Sequence, residues 1–107
     1  MNTSERAKYL VGFSPSPCPV CVRRHVLAAR AHLEDAAAHE EGRGDSMFRA
    51  LGHLAAAEDN ARSLAGKSPV PAGALTTIRA ALERGDAAAS SLVSALDKII
   101  STLTPKQ

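Results

Sequence analysis

Apolar residues recur at helical spacing in two stretches of the first 65 residues. The first stretch runs from about Pro19 to Glu41, and its apolar residues fall on a single face. The second runs from about Ser46 to Ala65 and is apolar on two faces, which is typical of a helix packed between neighbours. Gly42 and Gly44 separate the two stretches, which therefore predict an antiparallel helical hairpin. The face of the first helix consists of Val22, Val26, Ala29, Leu33 and Ala37.

The last third of the chain follows a heptad repeat. Two series of mostly aliphatic residues, each spaced by seven, run three residues out of step and form an a/d seam. The register continues across Gly85, which favours one long helix from about Pro71 to Leu103. The alternative is a break at Gly85, with Asp86 capping a further helix. We expect the seam to pack along the hairpin and to form a homo-oligomer. The predicted interface residues are Leu75, Ile78, Leu82, Ala89, Leu92, Leu96, Ile99 and Leu103.

Two other segments lack helical spacing. Residues 1–17 contain Pro15 and Pro17, which disfavour a helix, so this segment is predicted as an arm that docks or forms a short strand. Residues 67–74 contain two further prolines and predict a linker. The fold class is therefore all-α, in four parts. These are an N-terminal arm at 1–17, a helical hairpin with a metal knuckle at 18–66, a linker at 67–74 and a heptad helix at 75–103.

The composition agrees with a small helical domain. A chain of 107 residues buries a modest core, and a metal ion or an oligomer partner would help to stabilise it. Aromatic residues make up 3%, fewer than most all-β domains contain. A net charge of +2 gives little support for nucleic-acid binding. The chain has no apolar run long enough for a membrane span and no secretory signal at its start, so we expect a cytoplasmic protein.

Two cysteines and a histidine carry the clearest chemistry. Cys18 and Cys21 have the C-x2-C spacing of a zinc site, and His25 follows four residues after Cys21. If Cys21 lies in the first turn of the helix, His25 faces the same way. His53 is the favoured fourth ligand because Gly52 beside it admits close approach of another segment, and His32 is the alternative. Four protein ligands leave no open position on the metal, so the expected cofactor is a structural Zn²⁺.

Two other functions compete with this hypothesis. The Cys18-Pro19-Val20-Cys21 sequence resembles the redox motif of glutaredoxin-type proteins, which implies Cys18 as nucleophile and Cys21 as resolving thiol. The segment after the first helix has a helical pattern where that family has strands, so the resemblance is confined to the motif.

A small basic patch suggests a second alternative, a DNA-associated regulator. The patch consists of Arg23, Arg24 and Arg30. No aromatic residue accompanies the patch, and nucleic acid is the less favoured partner.

Residues 18–60 also resemble a group of small, uncharacterised phage-type helical proteins with a C-x-x-C-x-x-K-H-L…G-H-L-x-x-A-E pattern. The first part appears here as Cys18, Cys21, Arg24, His25 and Val26, with Arg and Val replacing Lys and Leu. The second part appears as Gly52-His53-Leu54 followed by Ala57-Glu58. The resemblance implies a helical hairpin with a Cys2His2 cluster at Cys18, Cys21, His25 and His53, and it implies no activity.

Together these features predict a non-enzymatic, zinc-stabilised binding or adaptor protein that acts by protein–protein interaction. The resemblance suggests that it is phage-encoded. The predicted partners are a second copy of the chain and an unidentified protein, without a membrane.

Overall fold

The computed structural model describes residues 2–12 and 18–103, and all regular secondary structure in these ranges is helical. The all-α fold class is therefore confirmed for the described part of the chain. None of the helices found there combines the length and the hydrophobicity needed to cross a bilayer. The helices are α1 (Thr3–Val11), α2 (Pro19–Ala38), α3 (Arg43–Leu64), α4 (Ala72–Arg84) and α5 (Ala89–Leu103), with one 3₁₀ turn at Ala65–Lys67.

The N-terminal segment forms helix α1, which packs against α3, so the prediction that this segment is not helical is wrong. Asn2 caps this helix: its side chain accepts a hydrogen bond from the Glu5 N–H at 2.8 Å, and the Glu5 carboxylate accepts one from the Asn2 N–H at 3.1 Å. This reciprocal capping box offsets the weak helix propensity of so short a segment. Pro15 and Pro17, on which the prediction rested, lie outside the described residues.

Helices α2 and α3 form the predicted antiparallel hairpin. α2 begins at Pro19, as expected, and ends three residues before the predicted Glu41. α3 begins at Arg43, three residues before the predicted Ser46, so Ser46 lies inside the helix and does not cap it. The Ser46 hydroxyl instead donates to the Asp35 carboxylate at 3.0 Å, which connects the end of α2 to the start of α3.

Helix α3 is the centre of the fold. It packs against α1, α2 and α4, and half of its residues are buried. This confirms the prediction, from its two apolar faces, that it lies between neighbours. α5 packs on α2, so α3 and α2 together support the other three helices.

The C-terminal third is two helices, so the prediction of one continuous helix is wrong and the alternative break at Gly85 is confirmed. Gly85 has a φ of 71°, in the left-handed region, and its N–H donates to the Leu82 carbonyl at 3.2 Å. The Asp86 N–H donates to the Ala81 carbonyl at 3.0 Å, which completes a Schellman motif. α5 begins only at Ala89, so Asp86 is not its cap.

The heptad seam lies inside a single chain. Ile99 is partly buried against the core, and the side chain of Leu103 is outside the described set. α4 presents its part of the seam to α3, and α5 presents its part to α2. The chain's own helices therefore cover the predicted interface, and self-association through it stays a prediction. The buried members of the seam are Leu75, Ile78, Leu82, Ala89, Leu92 and Leu96.

A buried carboxylate fixes α4 to α3. Glu58, which is 6% exposed, accepts from Arg79 Nε at 2.6 Å, from Arg62 at 2.6 Å and from the Thr76 hydroxyl. Burial opposes the charge on Glu58, but the hydrogen bonds from Thr76, Arg79 and Arg62 outweigh it and lower the pKa of this carboxyl. The fully partnered carboxylate explains why an acidic residue occupies an otherwise apolar face of α3.

Candidate metal centre

Both cysteines lie in the first turn of α2. Cys18 is the N-cap, with an extended backbone, and its sulfur accepts a hydrogen bond from the Cys21 N–H at 3.3 Å. Pro19 follows at the first helical position, where its fixed φ suits the helix and its missing N–H is not needed. The spacing of the pair, together with this cap, places the two thiols next to each other at one helix end.

His25 and His53 meet across the hairpin. The Nδ1 atom of His25 on α2 lies 2.9 Å from the Nδ1 atom of His53 on α3, although the residues are 28 positions apart. One of the two nitrogens must carry a proton for this to be a hydrogen bond. Two imidazole nitrogens bound to one tetrahedral zinc ion at about 2.0–2.1 Å lie about 3.3 Å apart. The observed separation is therefore close to the one that a shared metal ion requires.

Gly52 has the role expected of it, close approach of another backbone, and the approaching segment is α1. A Cβ atom at this position would lie 2.2 Å from the Ala7 carbonyl oxygen and 2.6 Å from its carbonyl carbon. Only a glycine allows α1 to pack at this depth against α3. Since His53 is the next residue, docking of α1 and placement of the His53 backbone depend on the same turn of α3.

His32, the alternative fourth ligand, lies beside the pair. Its ring is nearly parallel to that of His53, with centroids 5.6 Å apart and an angle of 12° between the planes. The His25 and His53 rings are 5.2 Å apart and tilted by 39°. The three imidazoles thus form a row with His53 in the middle, and the observed Nδ1 contact joins His53 to His25.

The environment of His25 and His53 favours their neutral forms, because the pKa of each is lowered. Burial lowers the pKa of His25. Burial also lowers the pKa of His53 to about 4, with further contributions from the nearby charges of His25, His32 and Arg49. A neutral imidazole has a lone pair free for a metal ion, so the low pKa values favour ligation at neutral pH.

The two thiols differ in acidity. Hydrogen bonds from the Cys21 thiol and the Cys21 N–H lower the pKa of Cys18. The same thiol–thiol hydrogen bond, followed by burial, raises the pKa of Cys21. Cys18 therefore becomes the thiolate first, as either a metal ligand or a nucleophile must.

Thiols and imidazoles are suitable zinc ligands, and the structure arranges the four proposed ligands as two pairs. Within residues 2–12 and 18–103, no group of three or more His, Cys, Asp or Glu side chains is arranged to hold a metal ion. The structure brings together the thiols as one pair and the imidazoles of His25 and His53 as another. Cys21 and His25 are one turn apart on α2, so one member of each pair lies on the same stretch of that helix, and His53 lies on α3. Two thiolates and two neutral imidazoles are a common structural zinc set.

The basic patch of α2 is smaller than predicted. Arg30 Nε donates to the Asp97 carboxylate of α5 at 2.5 Å, and Arg30 also pairs with Glu34 at 3.3 Å. Arg23 and Arg24 remain exposed. Arg30 therefore links α2 to α5, and a DNA-binding role for the other two arginines stays a prediction.

Comparisons with protein-family models, with curated proteins and with solved structures found no match to this chain. The resemblance to phage-type proteins therefore stays a prediction.

The sequence does not predict one cluster, the buried Glu58 with its partners on α4. Its sequence signals are an acidic residue on an apolar face and Arg62 four positions later, and neither signal identifies the partners 18 and 21 positions away.

Proposed function

We propose that this protein is a non-enzymatic, zinc-stabilised helical adaptor. Its zinc ligands are Cys18, Cys21, His25 and His53. The observation that carries the proposal is the 2.9 Å approach of the His25 and His53 Nδ1 atoms across α2 and α3, with His25 one helical turn along α2 from Cys21. Two partly buried imidazoles with lowered pKa values are candidates for a ligand site, and His25 lies one helical turn from Cys21.

The proposed zinc ligands come from both helices of the hairpin. Cys18, Cys21 and His25 belong to the N-terminal end of α2, and His53 belongs to the middle of α3. Bound zinc would supply a cross-link between these helices, and the binding energy of a structural metal adds directly to folding stability. Small side chains dominate the buried part of α3, so a cross-link contributes where packing is modest.

Adaptor function is supported by apolar side chains on the surface. Tyr9 and Leu10 of α1 are 61% and 51% exposed, and Val20 and Leu27 of α2 are 55% and 41% exposed. Large exposed apolar side chains that lie close together on a surface are typical of protein–protein contact sites, and Val20 and Leu27 lie two turns apart on one face of α2.

Metal analysis of protein purified without added zinc, combined with titration of free thiols, tests the metal proposal. We expect one zinc ion per chain and two protected thiols. The C18S/C21S and H53A variants should lose the metal, whereas H39A should retain it, because His39 is exposed at the far end of α2. Metal-free protein with two reactive thiols would overturn the proposal.

A dithiol oxidoreductase is the second candidate, and the lowered pKa of Cys18 at the start of a helix supports it. The Cys18 thiolate would attack a substrate disulfide and release one substrate thiolate. Cys21 would then attack the mixed disulfide, which forms the Cys18–Cys21 disulfide and releases the second substrate thiol. A glutaredoxin fold is not involved, since residues 18–103 contain no strand. Metal-free protein with a reversible Cys18–Cys21 disulfide would favour this candidate over zinc.

A further inference from the structure

The outer face of α2 has a pattern that the fold does not use. The residues of this face lie opposite the buried stripe of Val22, Val26, Ala29 and Leu33, and every one of them is exposed. They are spaced alternately by four and three residues, which is the spacing of a coiled-coil seam. In chain order, the face consists of Val20, Arg24, Leu27, Ala31, Glu34 and Ala38.

This face is complementary to itself in the antiparallel direction. When a second α2 is laid against it with the helices reversed, Arg24 faces Glu34 of the second copy, and Leu27 faces Ala31. In the same register Val20 faces Ala38, so a large aliphatic residue meets an alanine in each apolar layer. The match follows from the order of the charges along the helix, since Arg24 lies in the first half of the face and Glu34 in the second.

The charges on this face are available for such contacts. Arg23 and Arg24 make no ion pair within the described part of the chain, and both are exposed. Glu34 pairs with Arg30 at 3.3 Å, but its side chain is 62% exposed, so this contact is weak and can be exchanged.

We propose that the outer face of α2 is the contact surface of an antiparallel dimer of this chain. The contact is isologous, as a two-fold axis requires, because each residue pair occurs twice. The seam from residue 20 to residue 38 is about 27 Å long at 1.5 Å per residue. Alanines at 31 and 38 allow the two helices to approach closely. The α2 face thus provides a dimer surface that leaves the buried heptad seam undisturbed.

Charge reversal tests the register. In R24E, the introduced carboxylate would face Glu34 twice, and in E34R two arginines would face each other twice, so each variant alone should dimerise about tenfold or more weakly than wild type. In an equimolar mixture of R24E and E34R, every charged layer pairs a glutamate with an arginine, and heterodimers should form with wild-type affinity. Sedimentation velocity over a range of concentrations measures all four samples.

The control is K67E, which makes the same charge change as R24E at an exposed residue outside α2, in the 3₁₀ turn after α3, and should dimerise like wild type. Far-UV circular dichroism and zinc content establish that each variant is folded and metal-loaded, so a failure of the metal proposal is recognised separately. Two results would overturn the dimer: wild-type protein that stays monomeric at every concentration, or a mixture that does not recover the association lost in the single variants. If the mixture does not recover the association, any dimer forms through another surface, or the α2 face binds a different partner.

Discussion

The contact between Gly52 and α1 gives the sharpest prediction about the fold. In G52A, the new methyl carbon would lie 2.2 Å from the Ala7 carbonyl oxygen and 3.1 Å from Val11 Cγ1. The atom that obstructs it is backbone, so relief requires α1 to move as a unit away from α3. Overpacking of this kind costs about 1–3 kcal/mol, whereas replacing a mid-helix glycine by alanine gains about 1 kcal/mol. Because the clash is so close, we expect a net destabilisation of about 2 kcal/mol.

Urea denaturation followed by circular dichroism measures the change in the free energy of unfolding. Hydrogen exchange should show that the amides of α1 lose protection before those of α2. The matched control is G73A on α4, where the added Cβ meets nothing within 4 Å. This control should be neutral or stabilised by a few tenths of a kcal/mol, since residue 73 lies in the first turn of its helix. A G52A protein as stable as wild type, with α1 equally protected, would refute the packing of α1 against Gly52.

Two further predictions concern α4. The pKa of Glu58 is lowered from its usual 4.5, so its stabilising contribution is complete above pH 4.5 and is lost as the pH falls below it. E58Q should therefore cost about 2 kcal/mol at pH 7, and the difference from wild type should shrink in acid; a difference independent of pH would contradict the ionised network. G85A should cost about 1 kcal/mol in thermal denaturation, because alanine is strained at a φ of 71°, and an unchanged melting temperature would argue against the break between α4 and α5.

The hairpin could be predicted from the sequence because its signals are local and agree with each other. Helical spacing, a proline at the first position of α2 and glycines after its end all indicate the same boundaries to within a few residues. The buried face of α2 matches the prediction except at its end, where Ala36 is buried and Ala37 is exposed. The glycine beside His53 also predicted a close backbone approach, although it did not identify α1 as the segment that approaches.

The two errors have different physical causes. The prolines after α1 suggested an extended segment, but the capping box of Asn2 and Glu5 and the contact of Ala7 with Gly52 stabilise a helix before them. At Gly85 the heptad register suggested continuity. The register persists because α4 and α5 each bury a face against the same hairpin, and burial of a face does not require the two helices to be continuous.

The candidate site was partly predictable because one of its relations, like the signals of the hairpin, is local in the sequence. The i, i+4 relation of Cys21 and His25 follows from the helix itself. The meeting of His25 with His53 depends on the register between α2 and α3, which the sequence does not specify. The stacking of His32 on His53 and the low pKa of the central imidazole both depend on that register as well.

The central claim is that a metal ion bound by Cys18, Cys21, His25 and His53 stabilises the hairpin. Thermal denaturation of the purified protein with and without a zinc chelator, followed by readdition of zinc, tests it most directly. We predict that chelation lowers the melting temperature and that one equivalent of zinc per chain restores it, with H53A insensitive to both treatments. A wild-type melting curve that is the same before chelation, after chelation and after readdition would contradict the claim.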